Sequence, residues 1–349
     1  MSKTKRVYII LVVLLIVVAL AAIAYGAVAI SVADMFSSIS HWLRGEKPAN
    51  IYEGVFLQIR LPRVLLCMIT GAVLSVSGVL MQGLFRNPIV EPGLIGTSAG
   101  AAFGASVVFV LAAGMGAGMQ RLTGSLLVPL FAFGGGLLAT YTVYLLARGS
   151  RQLNVTILLL IGIAINAVGL SGTGFMSYIA RDPQARSITF WNLGTFSGAS
   201  WFQVWITGTV AAIVFLIASG YAKQLNALAL GEEQAMHAGV DPEKLKRRIM
   251  FFNTAMVSVA TAFVGVISFM GLIVPHLMRM FVGSDNRKLL PASMLAGAML
   301  LTLADMGARL LLAPAELPIG IITALVGAPA FIILLKKAHI LQPKGGGYD

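Results

Sequence analysis

Residues 152–180 read QLNVTILLLIGIAINAVGLSGTGFMSYIA, a run without a single Asp, Glu, Lys or Arg. About 20 apolar residues in a helix cross the ~30 Å hydrocarbon layer, so this stretch is long enough to span a bilayer. Working outward, 7–33, 64–85, 93–120, 122–147 and 249–278 are equally free of charge. Of the 349 residues, 58% are hydrophobic and 11% charged, where a soluble domain carries roughly 25% charged residues. A soluble enzyme is excluded. So is a transmembrane β-barrel, whose strands alternate in polarity over about ten residues. The fold class is an all-α polytopic membrane protein, read as a single transmembrane domain over residues 1–349.

The apolar runs predict ten transmembrane helices, at about 7–29, 61–84, 94–112, 126–147, 155–178, 202–221, 248–269, 272–282, 290–311 and 319–335, with ends accurate to about two to four residues. A glycine-rich turn at Gly114–Gly118 joins the third to the fourth. Reading 249–278 as one bent helix would make nine. Basic residues accumulate on the cytoplasmic side. With ten spans and both termini inside, most of the 25 Lys and Arg fall inside, including Lys3, Lys5, Arg6, Lys223, Lys244, Lys246, Arg247, Arg248, Arg287 and Lys288. The outer segments keep Arg44, Lys47, Arg60, Arg63, Arg121, Arg181, Arg186 and Arg309. Nine spans would divide Arg279, Arg287 and Lys288 from the N-terminus, so ten is preferred. The first run exceeds the usual apolar core of a cleaved signal peptide, and its removal would leave the wrong parity. The net charge of +12 is thereby topological and implies no nucleic-acid partner.

The lone Cys67 sits in an apolar run, so an intramolecular disulfide and a Cys-based metal site are both excluded. No metal-ligating cluster is expected from four scattered histidines. Small residues at Gly96, Gly100 and Gly104 give the third helix a smooth packing face. Breakers concentrate at Asn87-Pro88, Glu91-Pro92-Gly93, Gly265, Gly271 and Pro275. Broken helices are tolerated at membrane depth where protein or a water-filled path satisfies the freed backbone, so these point toward a translocation pathway. Between the sixth and seventh spans, Leu228-Ala-Leu-Gly-Glu-Glu-Gln-Ala-Met-His-Ala-Gly-Val240 predicts a short amphipathic helix. Leu228, Leu230, Ala235, Met236 and Val240 form its apolar side, Glu232 and Glu233 face outward, and Gly231 and Gly239 bracket it. Asp241-Pro242-Glu243 then reads as an N-cap, a proline at the first position and an acidic first turn. Such a helix is either an interfacial loop or a docking element.

A set of motifs makes the reading specific. Arg60-Leu-Pro-Arg63, Gly71, Ser77-Gly78, Met81-Gln-Gly-Leu-Phe-Arg-Asn-Pro88, Glu91-Pro-Gly-Leu-Ile-Gly96, Leu228-Ala-Leu-Gly-Glu-Glu233, Gly271-Leu-Ile-Val-Pro-His276, Leu303-Ala-Asp305, Glu316-Leu-Pro-Ile-Gly320 and Gly327-Ala-Pro329 follow in order from about 58 to 337. Together they resemble the permease family of type II ABC importers, which move vitamin B12, iron–siderophore complexes and haem. The resemblance implies ten helices per subunit, both ends cytoplasmic in the bacterial inner membrane, and a homodimer with the pathway on its axis. It implies two cytoplasmic ATPase subunits and a periplasmic or extracellular substrate-binding protein as partners. By the same resemblance 228–240 is the coupling helix that enters a cleft of the ATPase. No Gly-x-x-x-x-Gly-Lys-Ser/Thr occurs, so ATP chemistry belongs to a separate chain, no cofactor is expected here, and the chain is not itself an enzyme.

The resemblance also assigns roles. Arg60, Arg63 and Arg309 match arginines that receive acidic side chains of the binding protein, a task suited to a bidentate guanidinium. Their plainer readings are an anchor for the second helix and, for Arg309, an i,i+4 pair with Asp305. Leu153-Asn154-Val155-Thr156 and Asn87-Pro88 match inner gates, or are helix caps. The segment Arg186-Ser-Ile-Thr-Phe-Trp191 is similar to the outer segment of haem-importing members. Arg181 or Arg186 at the mouth would attract haem propionates or the acidic groups of a siderophore. Alternatively they are interfacial arginines beside an aromatic belt of Trp191, Trp201 and Trp205. The expected cargo is an iron chelate, haem first, with ferric siderophore or cobalamin as alternatives. An ion-coupled secondary transporter is the competing class, with Asp305 its only midplane candidate. A membrane enzyme lacks the clustered His, Asp or Glu it would need.

Overall fold

The centre of the molecule is the run that begins at Arg60-Leu-Pro-Arg63. In the computed structural model, which describes residues 2–26, 30–46, 48, 50–111, 126–148 and 155–340, it becomes the most enclosed helix. Helix α1 is Lys3–Ala24, α2 Val32–Leu43 and α3 Ile51–Val55. A wide π-helical turn, Phe56–Arg60, carries the chain into α4, Leu61–Phe85. Pro62 has no N–H for the Gln58 carbonyl, which accounts for the widened turn just before it. Two later helices, Met270–Val282 and Asn286–Leu310, close on α4 because it is small-faced. A Cβ at Gly71 would strike the Gly297 carbonyl, and one at Gly78 the Gly271 carbonyl.

After a left-handed Arg86 and a 3-10 turn at Pro92–Ile95, α5 is Thr97–Leu111 and α6 Val128–Ala147. These two pack closely through Gly100 and Gly135, and Thr97 and Thr140 share a 2.8 Å hydroxyl bond. Then follow α7 (Val155–Ile179), α8 (Gln184–Leu193), α9 (Trp201–Ala229), α10 (Glu232–His237), α11 (Pro242–Val264), α12 (Met270–Val282), α13 (Asn286–Leu310) and α14 (Ile319–Ile340). Among the described residues there is no β-strand. Around α4 the shell is α13, α9, α12 and α11; α1 lies outside α13, and α7 lies outside α5.

Among the described residues, six helical stretches have the length and apolarity to cross a membrane: α1, Ile51–Phe85, α6, α7, α9 and α13. Helix α5, α12 and the Ile319–Ile333 part of α14 are apolar but shorter, and α11 opens on charged residues. Each of the ten expected runs is helical, yet helix length alone supports fewer than ten complete crossings. The run 249–278 is two helices: α11 stops at Val264, Gly265 turns with φ 78, and α12 restarts at Met270. Helix α11 starts at Pro242 as the Asp241-Pro242-Glu243 cap predicts, and the expected end near 269 is moved back to Val264. Helix α1 ends at Ala24 rather than near 29. Three helices lie outside the expected runs: α2, the short α3 and α8. Helix α2 has a full capping box, with Ser31 and Asp34 exchanging side-chain and backbone bonds. Helix α8 fills the segment between α7 and α9. The Gly114–Gly118 turn lies outside the described residues.

Candidate functional site

Three features carry the chemistry. The first is the short helix α10. Helix α9 runs straight through Leu228 to Ala229, and Leu228 is buried in the core beneath it. The expected 228–240 helix is therefore only Glu232–His237, and Leu228 belongs to the helix before it, because the turn does not come until Gly231 at φ 129. Ala235 is buried and Val240 half-buried, while Leu230 is 76% and Met236 54% exposed. Gly239 turns the chain with φ 78 toward α11. Glu233 faces outward as expected; Glu232 does not. It pairs at 2.9 Å with Lys246 of α11, which also binds Glu243 at 2.9 Å. Lys246 is itself buried, so a single ammonium fastens α10 to α11. The sequence reading had counted Lys246 only as a cytoplasmic charge. Its signal was the i,i+3 spacing to Glu243, which does not reveal Glu232. Asp241 caps α11 by accepting from the Lys244 amide at 3.0 Å, and that bond holds its carboxyl below the ordinary range.

The second feature is a charged knot where α1, α4 and α13 meet. Arg63 donates to Asp305 at 2.9 Å and, through Nη1, to both oxygens of Glu316 at 2.9 Å. Arg309 lies 3.1 Å from Asp305 on the same helix and donates to the carbonyls of Ala22 and Tyr25. Arg60 donates to the carbonyls of Ile23 and Ala24. The last carbonyls of a helix have no partner within it, and here two guanidiniums close the end of α1. Arg60 and Arg63 are thus buried and Arg309 half-buried, all three bound within the chain, and the pair of Arg309 with Asp305 is the i,i+4 contact of the plainer reading. Glu316 is the part of the knot that reaches solvent.

The third feature is a junction of helix breaks. At the end of α8, Thr195 N–H donates to the Val264 carbonyl at 2.8 Å, and Ile319 N–H donates to the Gly194 carbonyl at 3.1 Å. The ends of α8 and α11 and the start of α14 therefore meet. The backbone N–H of Phe269, at the head of α12, lies beside the Glu91 carboxylate, bringing in the loop before α5. Freed backbone groups are satisfied by one another, which is what lets interrupted helices sit inside a membrane protein. Beside the junction lies a cavity of about 460 Å³ whose polar lining includes Glu91, Ser98, Asn166, Thr173, Asn192 and Ser268. Asn166 donates to the Gly93 carbonyl at 2.9 Å. Asn166 and Asn192 had not been singled out, because a lone Asn in an apolar run says nothing of where its helix faces.

The remaining expected residues are dispersed. Asn87 spends its side-chain oxygen on the Ile89 amide at 3.0 Å, closing a local turn beside the exposed Pro88. Val155 and Thr156 open α7; Asn154 lies outside the described residues. Arg181 and Arg186 are exposed, and neither has an ion-pair partner among the described residues. Trp201 donates to the Leu57 carbonyl and Trp205 is exposed beside it, but Trp191 packs inward against the α5–α6 cluster. Among the described residues no group of His, Cys, Asp and Glu is arranged to hold a metal.

Residues 14–337 match the FecCD transport family. The chain is 40% identical over 283 residues to the Hemin transport system permease protein HmuU of Yersinia pestis, 81% of this chain and 83% of that one. It is 38% identical over 282 residues to the Cobalamin import system permease protein BtuC of Halobacterium salinarum, 81% of this chain and 73% of that one. A solved metal-chelate type ABC transporter in an inward-facing conformation superposes with a TM-score of 0.79 at 32% identity, covering 95% of this chain and 99% of that chain. The chain belongs to the FecCD transport family and is a membrane permease subunit of an ABC importer, the ATPase activity residing in a separate subunit.

Proposed function

We propose that this permease crosses the bacterial inner membrane ten times with both termini cytoplasmic, works as a homodimer, and passes an iron chelate, haem first, from a substrate-binding protein to the cytosol. The observation that carries the reading is α10. Two apolar side chains, Leu230 and Met236, stand exposed on a short helix held to α11 by a buried lysine, which suits insertion into a cleft of the ATPase subunit. The poorly enclosed apolar faces of α7 and α14 supply surface for a second copy and for lipid. The cavity beside the broken helices is the candidate pathway, with Asn87, Pro88, Val155 and Thr156 toward its inner side.

Arg181 and Arg186, with no carboxylate of the described residues upon them, are free to meet the propionates of haem. The binding protein docks at the end that carries Arg60, Arg63 and Arg309, which organise that end and offer Glu316 at its surface. The alternative cargo is a ferric siderophore or cobalamin; both haem and cobalamin permeases stand among the relatives. Transport into liposomes with the ATPase and binding protein, comparing haem, a ferric siderophore and cobalamin, tests the cargo. Uptake of cobalamin alone refutes haem, and labelling of a cysteine placed at Glu233 from outside intact cells refutes the topology.

A further inference from the structure

Helices α6 and α11 run side by side in opposite directions, and between them lies a groove of about 710 Å³. Its walls are apolar: Gly134, Leu138 and Tyr141 from α6, Met250 and Phe251 from α11. Leu138, Tyr141 and Phe251 are exposed, so the groove opens on the outside of the helical bundle. Its character changes at one end, where Arg247 and Arg248 meet Tyr144. Both arginines are exposed, and neither forms an ion pair among the described residues, although the neighbouring Lys244 and Lys246 are paired. Arg248 Nη1 lies 3.5 Å from the Tyr221 hydroxyl. From Arg247 to Thr254 the trough follows seven residues of helix, about 10 Å at 1.5 Å per residue.

We propose that this groove is a binding site for one anionic phospholipid. Its phosphate sits on Arg247 and Arg248, and one acyl chain lies along α6 and α11. Two adjacent cations without carboxylates demand an anion, and a guanidinium is suited to phosphate oxygens. An apolar trough leading away from that anion demands a chain attached to it. Basic pockets between transmembrane helices on the cytoplasmic side take lipid headgroups for this reason. The site rests on the cytoplasmic placement of this end in the ten-span reading. Its test reads lipid binding, so failure here is distinct from failure of the topology, which cysteine labelling reads.

The assembled transporter, stripped in detergent, is mixed with phosphatidylglycerol or phosphatidylcholine, and retained lipid is read by native mass spectrometry. Wild type is expected to retain phosphatidylglycerol preferentially. With about a five-fold gain per arginine near a phosphate, Arg247→Gln with Arg248→Gln lowers that preference by up to about 30-fold. Gly134→Phe leaves both arginines in place. A side chain there meets open space, so the fold accepts it, while the ring occludes the trough and reduces retention of the lipid. Inorganic phosphate at equal concentration leaves the retained lipid unchanged. The proposal is overturned by an unaltered lipid preference in the double glutamine variant, by full retention in Gly134→Phe, by displacement of the lipid with inorganic phosphate, or by spontaneous cross-linking of Leu138→Cys to a second copy.

Discussion

Lys246 can be removed in two ways that cost very different amounts. Its ammonium lies 2.9 Å from one oxygen of Glu232 and one of Glu243, with the lysine side chain 2% exposed and the carboxylates 31% and 40%. Lys246→Met deletes the buried charge and keeps the volume. The two carboxylates left behind reach water, so the loss is that of partly exposed pairs, about 1 kcal/mol. Glu232→Leu with Glu243→Leu does the opposite. It leaves an ammonium enclosed with no acceptor, and breaking a buried pair from that side costs about 3–5 kcal/mol; partial exposure of the carboxylates places this case near 3. Thermal unfolding of the purified transporter should rank the variants wild type, Lys246→Met, then the double leucine, with the second step about twice the first or more. Lys246→Met should also unfasten α10, so ATP hydrolysis continues while transport falls. The reasoning fails if the two variants are equally stable, or if Lys246→Met is the worse. A Lys246→Met protein that transports normally would remove α10's tie to α11 from the coupling.

The knot around Asp305 behaves likewise: Asp305→Asn removes the carboxylate between Arg63 and Arg309. Because Arg63 keeps Glu316 and Arg309 keeps the α1 carbonyls, the loss falls toward the low end for a broken buried pair, about 3 kcal/mol, read as a lower unfolding temperature. Gly78→Ala drives a Cβ into the Gly271 carbonyl and should cost about 1–3 kcal/mol through overpacking, whereas the same change at Gly134, which faces open space, should be neutral or slightly stabilising in the same melt. Asp285 caps α13, accepting from the Arg287 guanidinium, the Arg287 amide and Asn226, and Arg287 first among these holds it below the usual carboxylate range. Its contribution is complete above an unfolded value of about 3.9 and is lost as pH falls through the lower folded value. Asp285→Asn should therefore shrink the acid-induced drop in melting temperature, and an unchanged drop would count against the assignment. Arg181→Gln with Arg186→Gln should raise the KM for haem and leave cobalamin unaffected; equal effects on both would take these arginines out of cargo selection.

How much was legible depended on whether a residue's partner lies along the chain or across it. The apolar runs, the Asp241-Pro242 start of α11 and the break at Gly265 are local signals, and the structure places helices and ends accordingly, within a few residues. Helix α2 is local too: Ser31-Val-Ala-Asp34 is a capping box, and the helix it opens is too short and too polar to register as a span. Leu228 was misplaced because α9 and α10 share an amphipathic period, and only the left-handed turn at Gly231 separates them. The functional arrangement is different in kind. Lys246 meets Glu232 across a turn, Arg63 meets Asp305 across 242 residues, and Gly194 meets Ile319 across most of the second half of the chain.

Those long connections explain why the breaks converge. A helix interrupted inside a bilayer must find acceptors and donors for its freed backbone. One interruption supplies carbonyls at its helix end, and another supplies N–H groups at its helix start. Val264 and Gly194 offer the carbonyls; Ile319 at the start of α14, and Thr195 just past the end of α8, offer the N–H groups. At the head of α12 the Glu91 carboxylate lies beside the Phe269 N–H. The polar cavity adjoins this junction because irregular backbone and its supporting polar side chains can be satisfied there without exposing them to lipid. A chain whose breaks were spread among separate helices would need a separate polar lining for each.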